Sequence, residues 1–234
     1  WILCFLTGKK TILRLKKENM RLEVRVFGPC LALGISTFVM LSTESLLSIS
    51  FTNSLSRYGG DVAVGAMTII TSINQLVAMP VQGICQGGQP IISYNYGADK
   101  PERVKKAFFT QFCACVAYTF TFWAVIMFFP QVFASIFTAN KELVEYSSWA
   151  LRIYMAGIFS TGFQISCQQS FMALGQAKVS LLLACLRKII LLIPLIFILP
   201  HFLPDKVFAV FLAEPVSDIL AAAATTITFL TLFN

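Results

Sequence analysis

Polar side chains recur where an apolar chain should be plain, and their spacing is that of a helix face. Gln75, Met79, Gln82, Gln86 and Gln89 follow one another at steps of four and three, which stacks them along one side of a helix. Gln164, Gln168 and Met172 repeat the theme at steps of four, with Gln169 beside them. Glutamine offers both donors and an acceptor, and methionine adapts its shape, so such faces suit a cavity that takes varied organic ligands. The other reading is a ladder of interhelical hydrogen bonds that only holds helices together. Glu44 is the acid with no evident cation to offset it, on a face shared broadly with Thr37, Ser48 and Thr52. A carboxylate in hydrocarbon is costly and takes a proton or Na⁺ as its partner, unless it lies at a helix end. Asn53, with Ser54, lies about two turns further on as a further ligand or a cap. Glu214 and Asp218 share a face at i, i+4, where two ionised carboxylates repel. They pair with Arg152 or Lys206, or they lie near the outer surface.

Composition says what positions these residues. The chain has 234 residues, 57% of them hydrophobic, and a mean hydropathy of +0.76. Only 12% are charged, where a soluble domain carries roughly 25%. A bilayer crossing needs about 20 apolar residues. Stretches of that kind occupy residues 29–56, 62–94, 104–129, 144–174, 179–199 and 207–233. They predict an all-α membrane protein with six transmembrane helices. Pro80 and Pro90 interrupt the second span and open its hydrogen-bond ladder, a common way to build a site at mid-membrane. Gly83 and Gly87 form a GxxxG that admits another helix.

The net charge of +7 is unevenly placed. Lys9, Lys10, Arg14, Lys16, Lys17, Arg21 and Arg25 crowd the leading segment, and Lys100, Arg103, Lys105 and Lys106 follow the second span. Lys178 follows the fourth. The alternate turns hold only Arg57, Lys141 and Lys206. This bias puts the basic turns in the cytoplasm. Arg187 and Lys188 fit if the fifth helix starts in the cytoplasm and enters lipid near Ile189. The leader reads as a solvated or membrane-surface helix, and no nucleic-acid partner is expected. The seven Cys include no CxxC and read as packing residues, and one His gives no basis for a metal site. With no nucleophile–base pair, P-loop or ligand cluster, no enzymatic activity and no cofactor are expected.

The stretch GICQGGQPIISYNYGADKPERVKKA (residues 83–107) carries a longer pattern, G-x-x-Q-G-x-Q-P-I-x-x-x-N-Y-G-A. It is followed or preceded by RYGGD (57–61), FMALGQ (171–176), Arg187 with Pro194, and AEPVSD (213–218). In this order they resemble the multidrug and toxic compound extrusion (MATE) transporters, in particular the bacterial branch, over most of the chain after residue 28. The resemblance implies one lobe of a twelve-helix transporter. Residues 1–27 would hold the end of a preceding helix and a basic inter-lobe connector, and residues 28–234 the C-terminal six-helix lobe. The opening at Trp1, with an apolar WILCFLT, fits a piece whose N-terminal lobe lies upstream.

It further implies alternating-access efflux of small organic, commonly cationic, compounds in exchange for H⁺ or Na⁺ across the bacterial inner membrane. Glu44 falls ten residues after Gly34, where one branch of the family places a functional acid in helix seven. That branch has an Asp near the end of helix ten, whereas residues 173–178 read ALGQAK, so its two-carboxylate site does not carry over. A flippase of lipid-linked saccharides, wanting a larger and more basic cavity, and a non-transporting membrane module are the alternatives.

Overall fold

The computed structural model describes residues 24–233, so most of the expected connector at 1–27 lies outside the described residues. The chain divides into two compact units at Val39/Met40, and the second unit holds every candidate site residue. Helix α1 (Val24–Gly97) is divided by Gly60, whose φ of 63° and ψ of −160° are open to glycine and to little else. The break falls within the RYGGD turn, between the first two expected spans. Pro80 and Pro90 stand inside helical backbone, where each lacks the N–H that the ladder uses, and Gly60 is the residue of α1 with non-helical φ and ψ.

Helix α2 (Pro101–Phe128) starts on a proline, which gives up no helical hydrogen bond at that position. The turn before it has Asp99 at φ 52°, a value that aspartate tolerates. A short α3 (Pro130–Phe137) follows, also proline-initiated. Helix α4 (Lys141–Tyr154) is capped by Asn140, whose side chain accepts from the Glu142 and Leu143 amides. The expected fourth span is two helices: a 3₁₀ turn (Met155–Gly157) joins α4 to α5 (Ile158–Ala173). The fifth is α6 (Ala177–Cys185), a widened π segment (Leu186–Leu192) and α7 (Ile193–Phe202). Helix α8 (Lys206–Phe233) closes the order, with Asp205 Oδ1 accepting from the Val207 and Phe208 amides at 3.1 Å each.

Among the described residues, four stretches are long and apolar enough to cross a membrane: Ser42–Gly97, Pro101–Phe128, Val179–Phe202 and Lys206–Thr228. The first has length enough for two crossings about its glycine break. With the α4–α5 pair, these give the six spans that the hydropathy predicts.

In lipid the apolar effect no longer drives helices together, so close backbone approach must do so. It occurs at Gly157, where an added Cβ would lie 2.9 Å from Pro215 Cα on α8, and at Gly162, 2.8 Å from the Cys115 carbonyl on α2. Gly88 gives room for the Gln111 side chain in the same way. The expected GxxxG contact does not form among the described residues: nothing lies within 4 Å of a Cβ built on Gly83 or Gly87. Both face outward because α2 packs one step round, on the side of Val81, Cys85 and Gly88.

Hydrogen bonds then lock the crossings. Gln111 Nε2 donates to Ser166 Oγ at 3.4 Å, Thr119 Oγ1 donates to the Phe159 carbonyl at 3.4 Å, and Ser93 Oγ to that of Ala173 at 2.8 Å. A core of Phe51, Leu55, Ile70, Leu151, Ile196 and Phe211 fills the space between. Gly157→Val should therefore overpack the α4–α5–α8 junction and cost about 1–3 kcal/mol. Gly83→Ala should cost nothing and gain up to about 1 kcal/mol of helix propensity. Melting of the purified protein in detergent checks both, and equal losses at the two sites would contradict this packing.

Candidate functional site

The π segment carries two consecutive cations and sends them to different neighbours. Residues one apart on a helix point about 100° apart. Arg187 turns to α8, where its Nη2 lies 2.5 Å from Asp218 Oδ1 and donates to Glu214 Oε1 at 3.1 Å. Lys188 turns to α1 and pairs with Glu44. Ser217 Oγ adds a hydrogen bond of 3.1 Å to the Arg187 carbonyl, so α8 holds this residue by its backbone as well. A widened turn leaves carbonyls without their usual helical donors, and Ser217 supplies one here.

These groups lie deep. At 1.5 Å per residue Arg187 sits about 15 Å from the start of α6, and Glu214 and Asp218 about 12 and 18 Å from the start of α8, in a hydrocarbon layer about 30 Å thick. The side chains are 16% exposed for Arg187, 8% for Glu214 and 4% for Asp218, so the triad is inside the helix bundle. Lys188 is 18% exposed and Glu44 60%, which places the second pair at the bundle's open side. The Tyr154 ring, itself buried, stands edge-on to Phe51 at 5.8 Å and closes α1 against α4.

Three expectations change. Glu44 does have a cation, Lys188. Glu214 and Asp218 meet neither Arg152, which is exposed, nor the outer surface, but Arg187. Arg187 and Lys188 do not wait at the cytoplasmic end for Ile189. The run LLLAC between Lys178 and Arg187 already covers more than a turn of apolar helix, and that was the available signal.

The glutamine faces separate. On α1, Gln75, Met79, Gln82 and Gln86 are exposed and Gln89 is half-buried, so this stripe is an open face of the lobe. Asn53 is exposed on the earlier part of α1. On α5, Gln164 is buried, Met172 is half-buried, and Gln168 Nε2 donates to the Ser180 carbonyl at 3.0 Å, tying α5 to α6. Among the described residues, the hydrogen bond made by these glutamines runs from Gln168 to α6 and not between the two faces. Periodicity singled out neither Gln111 nor Thr119, because each stands alone in an apolar helix without a repeat.

Removing one partner of a buried ion pair strands the other. Arg187→Leu should cost about 3–5 kcal/mol by leaving two carboxylates unpaired in a dry site. The neutral combination R187L/E214Q/D218N should recover most of that loss. Melting temperature and yield of folded protein in detergent check the pair of variants.

Comparison with known proteins gives the setting of this geometry. The MatE family model matches residues 36–198. The multidrug export protein MepA of Staphylococcus aureus (strain NCTC 8325 / PS 47) is 25% identical over 226 residues, covering 93% of this chain and 47% of MepA. The FAD transporter of Shewanella oneidensis is 24% identical over 162 residues, covering 69% of this chain and 35% of its own. Among solved structures, the MATE multidrug transporter DinF-BH superimposes with a TM-score of 0.84 at 31% identity, over 98% of this chain and 51% of that one. A MATE protein in its straight conformation matches in fold with a TM-score of 0.88 at 19% identity, over 98% of this chain and 52% of that one. The chain thus spans about half the length of the curated relatives it matches. Its helices have the arrangement of one lobe of the MATE fold, and the chain belongs to the MATE family of multi-pass membrane transporters.

Proposed function

We propose that this lobe works in secondary active efflux of small organic cations, exchanged for H⁺ or Na⁺ through alternating access with a second six-helix lobe. The observation that carries this reading is the meeting of five charged side chains at mid-depth in a lobe whose relatives include multidrug export proteins. Three carboxylates there face two cations, so the cluster retains one negative charge. A site of that sign attracts cationic substrates and coupling ions. An anionic compound such as FAD, transported by one relative, would need free cations, and both cations of this cluster are engaged by carboxylates.

In this scheme the exposed α1 face of Gln75, Met79, Gln82 and Gln86, with Gln89 at its end, lines the path between the lobes, and Gln164, Gln168 and Met172 stiffen the wall behind it. Glu44 belongs to the coupling cluster through Lys188. A coupling ion biases one state only if it binds the two states unequally, and an ion-paired cluster touching α1, the π segment and α8 offers that inequality.

Cells making the full-length transporter should extrude ethidium or tetraphenylphosphonium faster when an inward H⁺ or Na⁺ gradient is imposed. Gln82→Leu and Gln86→Leu should change the relative rates of different dyes while protein level holds. Equal loss of all substrates together with protein level would assign these glutamines to packing. Extrusion indifferent to both gradients would rule out antiport.

A further inference from the structure

We infer that Cys85 and Cys115 form a dithiol site for trivalent organoarsenic compounds, a property that stands apart from the efflux reading. The two thiols come from different helices, the second span on α1 and α2, and their sulfurs lie 3.6 Å apart. Both residues are fully buried. Their separation selects the ligand. With arms of about 2.3 Å, the length of a zinc–sulfur bond, an atom bridging these sulfurs would subtend about 100°, the angle of a pyramidal centre. A linear thiophile of the mercuric kind would need the sulfurs about 4.6 Å apart on the same arms. Stoichiometry narrows the choice further. Among the described residues no set of three His, Cys, Asp or Glu side chains is placed to hold a metal ion, which disfavours zinc with its four ligands. An organoarsenic(III) centre keeps one carbon and has two bonds to give, one for each sulfur.

The surroundings suit an uncharged exchange. Val81 is buried with the pair, and Ile84, Tyr118 and Ile165 pack over it only partly buried, so an apolar reagent enters from lipid by moving side chains alone. Attack by a thiolate is disfavoured in apolar surroundings, but this exchange needs none. One S–H adds across the As=O bond of an arylarsenoxide, forming an S–As and an O–H bond. The second sulfur then displaces the hydroxyl, which leaves with that thiol's proton as water. Arsenic stays trivalent, and no charge or oxidant enters. Gln111 offers the intermediate hydroxyl an acceptor. It stands one turn before Cys115 on α2, faces Gly88, one turn after Cys85, and lies beside Cys85 itself. Gln111 is 5% exposed, its Nε2 donates to Ser166 Oγ, and its Oε1 is buried with no hydrogen-bond partner. An occupied site would tie the second span to α2.

Phenylarsine oxide, applied to the full-length protein in detergent, tests the site. Mass spectrometry of the digest should find the Cys85 and Cys115 peptides joined by one phenylarsenic bridge. An excess of a monothiol should leave the bridge in place, and 2,3-dimercaptopropanol should remove it. Cys85→Ala and Cys115→Ala should each abolish it, whereas Cys113→Ala, on the exposed side of α2, should not. In the wild type the bridge should raise the melting temperature, a reading that needs no variant. No bridge in the folded protein, or one that forms only after unfolding in dodecyl sulfate, would overturn the inference. A bridge from Cys115 to Cys167 in place of Cys85, or a melting temperature that phenylarsine oxide leaves unchanged, would overturn it as well.

Discussion

A lipid-embedded bundle cannot leave a full charge unanswered, and that constraint organises this lobe. Arg187 enters at mid-depth, where its guanidinium has to find carboxylates, and it finds two on α8. Lys188 has to find another and reaches to Glu44 on α1. Much of the surrounding arrangement serves these two pairings. The widened turn presents both cations, and Ser217 fixes the backbone between them. Such pairs contribute little net stability over apolar side chains of like volume. Their value lies in making the neighbours of α8 and α1 non-interchangeable.

Close approach is what lets short polar contacts replace an apolar driving force. Gly157 against Pro215 and Gly162 against Cys115 bring α5 and its leading turn near enough for hydroxyls and amides to bridge between helices. The same crossing explains why the fourth span is two helices. The 3₁₀ turn at Met155–Gly157 keeps its glycine against α8, where continuous α-helix with a larger residue would push Pro215 away. Depth of the ionic cluster and tightness of the crossings are therefore one design, since the acids of α8 meet Arg187 only if α8 sits close.

Much of this was readable in the residues. Six apolar stretches forecast six spans, the polar turns fell where chain reversals occur, and the long glycine–glutamine pattern pointed to the family that the comparisons establish. The site was less legible. Periodicity reports which residues share a face, but not what stands opposite, so Glu44 looked unpartnered while its cation lay 144 residues away. Basic residues beside an apolar run read as an end because most are. Only the apolar residues on both sides of Arg187 and Lys188 pointed the other way. Gly83 and Gly87 had the spacing of a helix contact, yet that spacing does not say which way the face points. Gln111, single and unrepeated, gave no pattern at all, and its importance comes from the glycine opposite it.

The adjacency of Arg187 and Lys188 has a bearing on how this lobe can change over time. The length of the chain through Leu186–Leu192 is tied to two pairings at once. One residue lost upstream would turn Lys188 to α8 and leave Glu44 facing Ile189, and one gained would turn Arg187 to Glu44 and leave the acids of α8 facing Leu186. Either change breaks one of the two pairings and strands its acids unless α1 or α8 changes with it. The fifth span behaves as a key cut to one length.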